Sequence, residues 1–352
     1  MSTLLKKARA AVMSSSKSLK KSKANNQEKN ETTDKMARPK MPELVKVSYS
    51  SLPVDIPPKF LAPLDDPSDM TLTPVDFRNL SLPEYDGLFA VVLDGVLTAE
   101  ECESLIKLAE MSAGGHRAAD ADADDAEGEK EMGKKPKSDN GWVPAMVNGG
   151  SGREYAMLDY RNSDRIIWDE KTLAKRLWTR CLQAESLKEQ LQKLDGHGKH
   201  GGKYDVVLGS RRGRNWKISD QGLNERLRFL RYGEGQYFRE HCDGQYTTPD
   251  GKQTSFYTLH LYLNDSLQVL SPPSSSNTTS PVAKPSIEDF DRPVCVGGAT
   301  TFHSPSSQGS LDVDPKAGRV LIFQQNRLFH SGADVVGGQK YTMRSDLMYE
   351  IC

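Results

Sequence analysis

Ser255–Leu263 reads SFYTLHLYL, nine residues of aromatic, aliphatic and β-branched character with turn signals on either side, and it predicts a central β-strand. Shorter segments of the same kind surround it at 226–232, 236–240, 298–302, 318–323 and 340–349, separated by glycine-rich turns. Before residue 196 the pattern is different. Leu97-Thr98-Ala99-Glu100-Glu101 opens a helix with a capping box, Thr98 answering Glu101, and Cys102, Leu105, Ile106 and Ala109 recur at helical spacing. A second amphipathic helix over about 169–182 gathers Ala174, Leu177, Trp178 and Cys181 on one face. Helices first and many short strands afterwards predict an α+β protein whose core is a β-sandwich or jelly roll, with N-terminal helices packed against it.

The domain occupies only part of the 352 residues. Residues 1–85 are rich in Lys, Ser, Asn and Pro and poor in aromatics, which predicts a mostly disordered region with order beginning near Tyr85–Val92. The domain proper is expected over 86–352, with solvated inserts near 114–140 and 266–292. These segments explain the modest apolar content of 36% and the mean hydropathy of −0.62.

Charge and cysteine usage exclude several classes. A formal charge of −1 predicts no general attraction to nucleic acid or anionic membrane, although residues 1–27 carry seven Lys/Arg and 119–131 is acidic. The basic tail reads as solvated; the alternatives are an RNA-binding arm, whose affinity would fall steeply with salt, and a mitochondrial presequence. Lysine and serine stand in it where a presequence favours arginine. The five cysteines lack CxxC spacing and are odd in number, which argues for a reducing compartment, cytoplasm or nucleus, over a disulfide framework or a zinc cluster. No run of roughly eighteen apolar residues suggests a membrane span.

Seven histidines are present: 116, 197, 200, 241, 260, 303 and 330. In His241-Cys242-Asp243 the two outer side chains would share one face of a strand, and imidazole with carboxylate suits Fe(II) if a second histidine completes a facial triad. The plainer reading is a turn histidine beside Asp243-Gly244. His330 follows the apolar run Val320–Phe323 and precedes a further strand, so it is the candidate third ligand. His116, His197 and His200 lie in polar, glycine-rich stretches. His260 alternates with Thr258 and Tyr262 and reads equally as a core histidine satisfied by hydrogen bonding, and His303 as loop polarity. Lys340, Thr342 and Arg344 share a strand face, and either cation would pair with a dicarboxylate or form a rim salt bridge.

Taken in order, Arg231-Tyr232-Gly-Glu-Gly235-Gln-Tyr-Phe-Arg-Glu-His241-Cys-Asp243, Gly297-Gly298-Ala-Thr-Thr-Phe302 and Pro315-Lys-Ala-Gly318-Arg-Val-Leu-Ile-Phe323 with His330 and Lys340 resemble the prolyl 4-hydroxylase-like branch of the 2-oxoglutarate/Fe(II) dioxygenase superfamily. The likeness spans roughly 89–350 apart from the inserts. It implies a double-stranded β-helix (jelly roll), with His241, Asp243 and His330 holding Fe(II). Lys340 or Arg344 would hold the far carboxylate of 2-oxoglutarate, with Thr342 and Tyr232 assisting; Tyr232 reads equally as a core aromatic. The resemblance further implies O2 as co-substrate, L-ascorbate as a supporting reductant, and hydroxylation of a prolyl or other side chain of a protein or peptide with release of succinate and CO2. A free small metabolite or a nucleic acid base is the alternative substrate, and a non-catalytic jelly-roll binding module the alternative class.

Overall fold

The computed structural model describes residues 44–113, 140–150, 153–198, 204–271, 286–306 and 309–352. Strands are the main regular structure among the described residues and form four sheets, of which a larger and a smaller one carry the site; with few helices, this is consistent with a jelly-roll core. Five strands carry the chemistry described below: β1 (Arg226–Tyr232), β2 (Tyr237–His241), β3 (Gln253–Tyr262), β4 (His330–Gly332) and β5 (Lys340–Ile351). The larger sheet runs Thr71–Pro74, Ala90–Asp94, Val320–Gln324, β3, β5, β1, Asp164–Asp169 and Val143–Pro144, and Trp216–Leu223 also pairs with β5. The smaller runs Ser310–Val313, Thr300–His303, β4, β2 and Arg161–Asn162. Neighbours within both are antiparallel.

Strand pleat decides which side chains enter the space between the sheets. On β5, Tyr341, Met343, Leu347 and Tyr349 join the main apolar cluster on the outer face, while Lys340, Thr342, Arg344 and Asp346 take the inner face. Phe302 and Phe323 meet edge-on across the gap, ring centroids 5.7 Å apart, and the Tyr262 hydroxyl donates to Thr300 at 2.6 Å. Those contacts hold the two sheets together at one end.

Helix α1 (Ala99–Ala113) begins as its sequence predicts: the Thr98 backbone N–H donates to the Glu101 carboxylate at 3.1 Å, and the Glu101 N–H to the Thr98 hydroxyl at 3.2 Å. Its Cys102, Leu105 and Ala109 enter the same cluster as Leu173, Ala174 and Leu177 of α2 (Lys171–Cys181) and the outer faces of β1 and β5. Among the described residues no helix is long and apolar enough to cross a membrane.

Two expectations need correction. Residues 44–85 are not disordered. Leu61, Phe77, Leu82 and Tyr85 are all at most 3% exposed, and Thr71–Pro74 pairs with Ala90–Asp94. The apolar residues here are too thinly spaced to show periodicity, and the segment is held instead by single anchors. Gln183 makes two hydrogen bonds to the backbone of Leu64, each 2.8 Å, and the Arg180 Nε donates to the Ala62 carbonyl at 2.8 Å. The strand expected at 298–302 instead runs Thr300–His303, because Gly297 and Gly298 both adopt positive φ and separate it from a further strand at Val294–Gly297. Residues 1–43, most of the insert at 114–140 and the 272–285 part of the second insert lie outside the described residues; the ends of that second insert carry short helical turns at Leu267–Leu270 and Ile287–Asp289.

Arg180 is nearly enclosed, and its guanidinium reaches both Glu101 oxygens, at 2.7 and 2.8 Å. Glu101→Ala removes the capping box and strands that cation together. A loss of about 3–5 kcal/mol in urea unfolding is expected, against well under 1 kcal/mol for the exposed neighbour Glu103→Ala.

Candidate active site

The smaller sheet brings the two histidines together. His241, the last residue of β2, lies directly across from His330, the first of β4, and their ring centroids are 4.4 Å apart. Asp243 follows just beyond the strand end, with Oδ1 at 3.7 Å from His241 Nε2 and Oδ2 at 4.0 Å from His330 Nε2. Ligand-type atoms of all three thus lie within 4.8 Å of one another.

Their protonation suits a metal. His241 Nδ1 is 2.7 Å from the Arg239 carbonyl, and His330 Nδ1 is 3.0 Å from that of Leu328. A carbonyl only accepts, so each Nδ1 carries the hydrogen and each Nε2 keeps its lone pair toward Asp243. Burial, with His330 beside it, pulls His241 down to about 3; burial lowers His330 too. Burial alone would raise Asp243, but Arg344, His330, His241 and the Thr258 hydroxyl hold its carboxyl well below the usual carboxylate range. Two neutral imidazoles and one ionised carboxylate on one side of an open space fit Fe(II).

The larger sheet supplies the opposite wall. Arg344 Nη1 sits 3.0 Å from Asp243 Oδ1, and the Thr258 hydroxyl donates to Oδ2 at 2.5 Å. Arg344 also reaches Asp346 at 3.4 Å, and Asp346 is held by Arg228 and Gln325, both at 3.0 Å. Lys340 differs from Arg344 in this respect. Its side chain is buried, its Nζ lies 5.0 Å from the Tyr232 ring and 6.0 Å from that of Tyr262, and no carboxylate pairs with it among the described residues. Burial pulls its ammonium down to about 8. The Thr342 hydroxyl between the two cations also lacks a partner. Of the seven residues singled out from the sequence, His241, Asp243 and His330 converge with Arg344, and Lys340 lies against Tyr232 on the neighbouring strand, with Thr342 on the same face of β5.

Several neighbours were not legible in the sequence. The Arg161 guanidinium lies 4.6 Å over the Phe238 ring, which stacks on His241 at 3.8 Å. Its Nε has no partner, and burial lowers it to about 10. Nothing local in Tyr160-Arg161-Asn162-Ser163 marks it; it turns inward because the chain passes there from the smaller sheet to the larger. His303, read as loop polarity, meets the Ser331 hydroxyl beside His330 at 2.7 Å.

Residues 227–345, the segment that contains His241, Asp243 and His330, match the family model of the 2OG-Fe(II) oxygenase superfamily. No curated protein matches the sequence. Similar solved structures include a viral collagen prolyl hydroxylase from Paramecium bursaria Chlorella virus-1 with 2-oxoglutarate, at 16% identity and TM-score 0.35 over 75% of this chain and 98% of that one. A Pseudomonas putida prolyl-4-hydroxylase matches at 13% identity and TM-score 0.37, over 76% of this chain and 96% of that one. A prolyl hydroxylase from Trichoplax adhaerens, in complex with a hypoxia inducible factor peptide fragment, matches at 12% identity and TM-score 0.38, over 77% and 88%.

The tautomers can be read directly. In 15N-detected spectra of metal-free protein, His241 and His330 should both be neutral Nδ1–H rings at pH 6, where a solvent-exposed histidine is largely protonated. Both pKa values are lowered, so protonation waits until the pH falls well below the ordinary value near 6.5.

Proposed function

We propose that the chain is a 2-oxoglutarate- and Fe(II)-dependent oxygenase that hydroxylates a C–H bond in a side chain of a protein or peptide, with proline as the leading residue. The observation that carries this reading is the convergence of His241, Asp243 and His330, their ligand atoms within 4.8 Å of one another, together with a buried lysine, Lys340, that pairs with no carboxylate among the described residues. His241, Asp243 and His330 would hold the iron, and Lys340 the far carboxylate of 2-oxoglutarate.

When bound, the iron supplies the oxidising chemistry: one oxygen atom of O2 enters the substrate C–H bond as hydroxyl, the other ends in succinate, and CO2 leaves. The protein's part is binding and orientation. The backbone carbonyls of Arg239 and Leu328 hold both rings in the ligating tautomer. Arg344 and Thr258 fix the Asp243 carboxylate from two sides. Because Arg344 is already engaged with two carboxylates, Lys340, which pairs with none among the described residues, would receive the third. Tyr232 packs against its ammonium. L-Ascorbate is expected to sustain turnover. The prolyl reading is supported by the ordered likeness of 231–243, 297–302 and 315–340 to that branch.

The test is succinate release from 2-oxoglutarate with Fe(II) and O2 across a panel of proline-containing peptides. Wild type should turn over and His241→Ala should fall to background. Absence of both iron binding and turnover in wild type would overturn the reading, whereas turnover with metabolites alone would overturn only the substrate. A second measurement addresses Lys340. Its ammonium loses its proton as the pH rises through about 8, so 2-oxoglutarate affinity on Mn(II)-loaded protein should weaken from pH 7 to 9. Lys340→Arg should flatten that dependence, since a guanidinium stays charged throughout.

A further inference from the structure

Thr258, His260 and Tyr262 share the face of β3 that looks into the space between the sheets. Thr258 hydrogen-bonds Asp243, and the Tyr262 hydroxyl donates to Thr300. His260 stands between them, directly across from Arg344 on β5, with its ring 4.9 Å from that of Tyr262. Its Nε2 is shielded from solvent and has no hydrogen-bond partner.

That is not how a histidine satisfied within a core looks. His241 and His330 each found a backbone carbonyl, and His260 has none for Nε2. A buried polar nitrogen without a partner lowers stability, so its place calls for an explanation in binding. The register places the ring beside Arg344, and the charged groups of the site act on it. After burial itself these are Lys340, Arg344, His330 and Asp243, and burial with the two cations keeps the ring neutral. Across from Tyr262 on the paired strand, the Thr342 hydroxyl is a second unanswered polar group.

We propose that His260 is a co-substrate-binding residue whose Nε2–H donates a hydrogen bond to an oxygen of 2-oxoglutarate lying between Lys340 and the triad. This rests on the oxygenase reading above and deepens it. Carboxylate and keto oxygens only accept, so the ring must present Nε2 as the donor. A neutral imidazole suits the position because it adds a directed donor without placing a third full charge beside Lys340 and Arg344.

The experiment uses the full chain loaded with Mn(II) and titrated with 2-oxoglutarate by calorimetry. His260→Leu should weaken 2-oxoglutarate binding about tenfold, the effect of one lost hydrogen bond of this kind, and leave Mn(II) affinity unchanged. His260→Gln, which keeps a donor of similar reach, should recover most of the loss. Without 2-oxoglutarate, His260→Leu should melt no lower than wild type, because it removes an unsatisfied group. Binding by His260→Leu as tight as wild type would overturn the assignment. So would a Leu variant that melts well below wild type and loses Mn(II) affinity, since the histidine would then be structural. If wild type itself binds Mn(II) but no 2-oxoglutarate, the oxygenase reading fails first, and the two failures are told apart.

Discussion

The pleat of β5 is the constraint on which the rest of the molecule depends. Tyr341, Met343, Leu347 and Tyr349 sit in the main apolar cluster, while Lys340, Thr342, Arg344 and Asp346 between them carry charge and a hydroxyl on the opposite face. The strand pairs with both β1 and β3, so its register aligns Tyr232 with Lys340, Arg228 and His260 with Arg344, and Tyr262 with Thr342. A one-residue slip would exchange the two faces, burying cations among aromatics and turning Met343 toward the metal ligands. The apolar face thus specifies the polar one.

An interior this polar is held by division of labour. Asp243, Arg344, Asp346, Arg228 and Gln325 satisfy one another in a continuous network. Lys340, Thr342 and the Nε2 of His260 do not. The paired groups frame the metal ligands, while Arg161 Nε and Arg344 Nε join Thr342 and His260 among the buried polar atoms that lack a partner. Buried polar groups are normally paired, so these exceptions single out the polar interior from the rest of the core.

Much of this was legible in the residues. The capping box at Thr98–Glu101, the helix ending at Cys181 and the strands around Tyr262 and Arg344 follow from local spacing and turn chemistry. The triad followed from order along the chain, since His241-Cys242-Asp243 alone is ambiguous. What stayed hidden depends on distance in sequence. The burial of Leu61 and Phe77 rests on anchors such as Gln183 and Arg180, and Arg161 acquires its place from a crossing between sheets. The roles of Lys340 and Arg344 could not be separated by periodicity, because both occupy the same strand face. Only the position of Asp243 distinguishes them.

The double glycine at 297–298 has one more consequence. Gly298 has φ of +73°, and a methyl group on its Cα would come within 3.0 Å of the Lys340 side chain at Cδ. A side chain at 298 would press on both Lys340 and Val335 Cγ2, at 3.1 Å, so the room in which the lysine lies is set partly by backbone that carries no side chain at all.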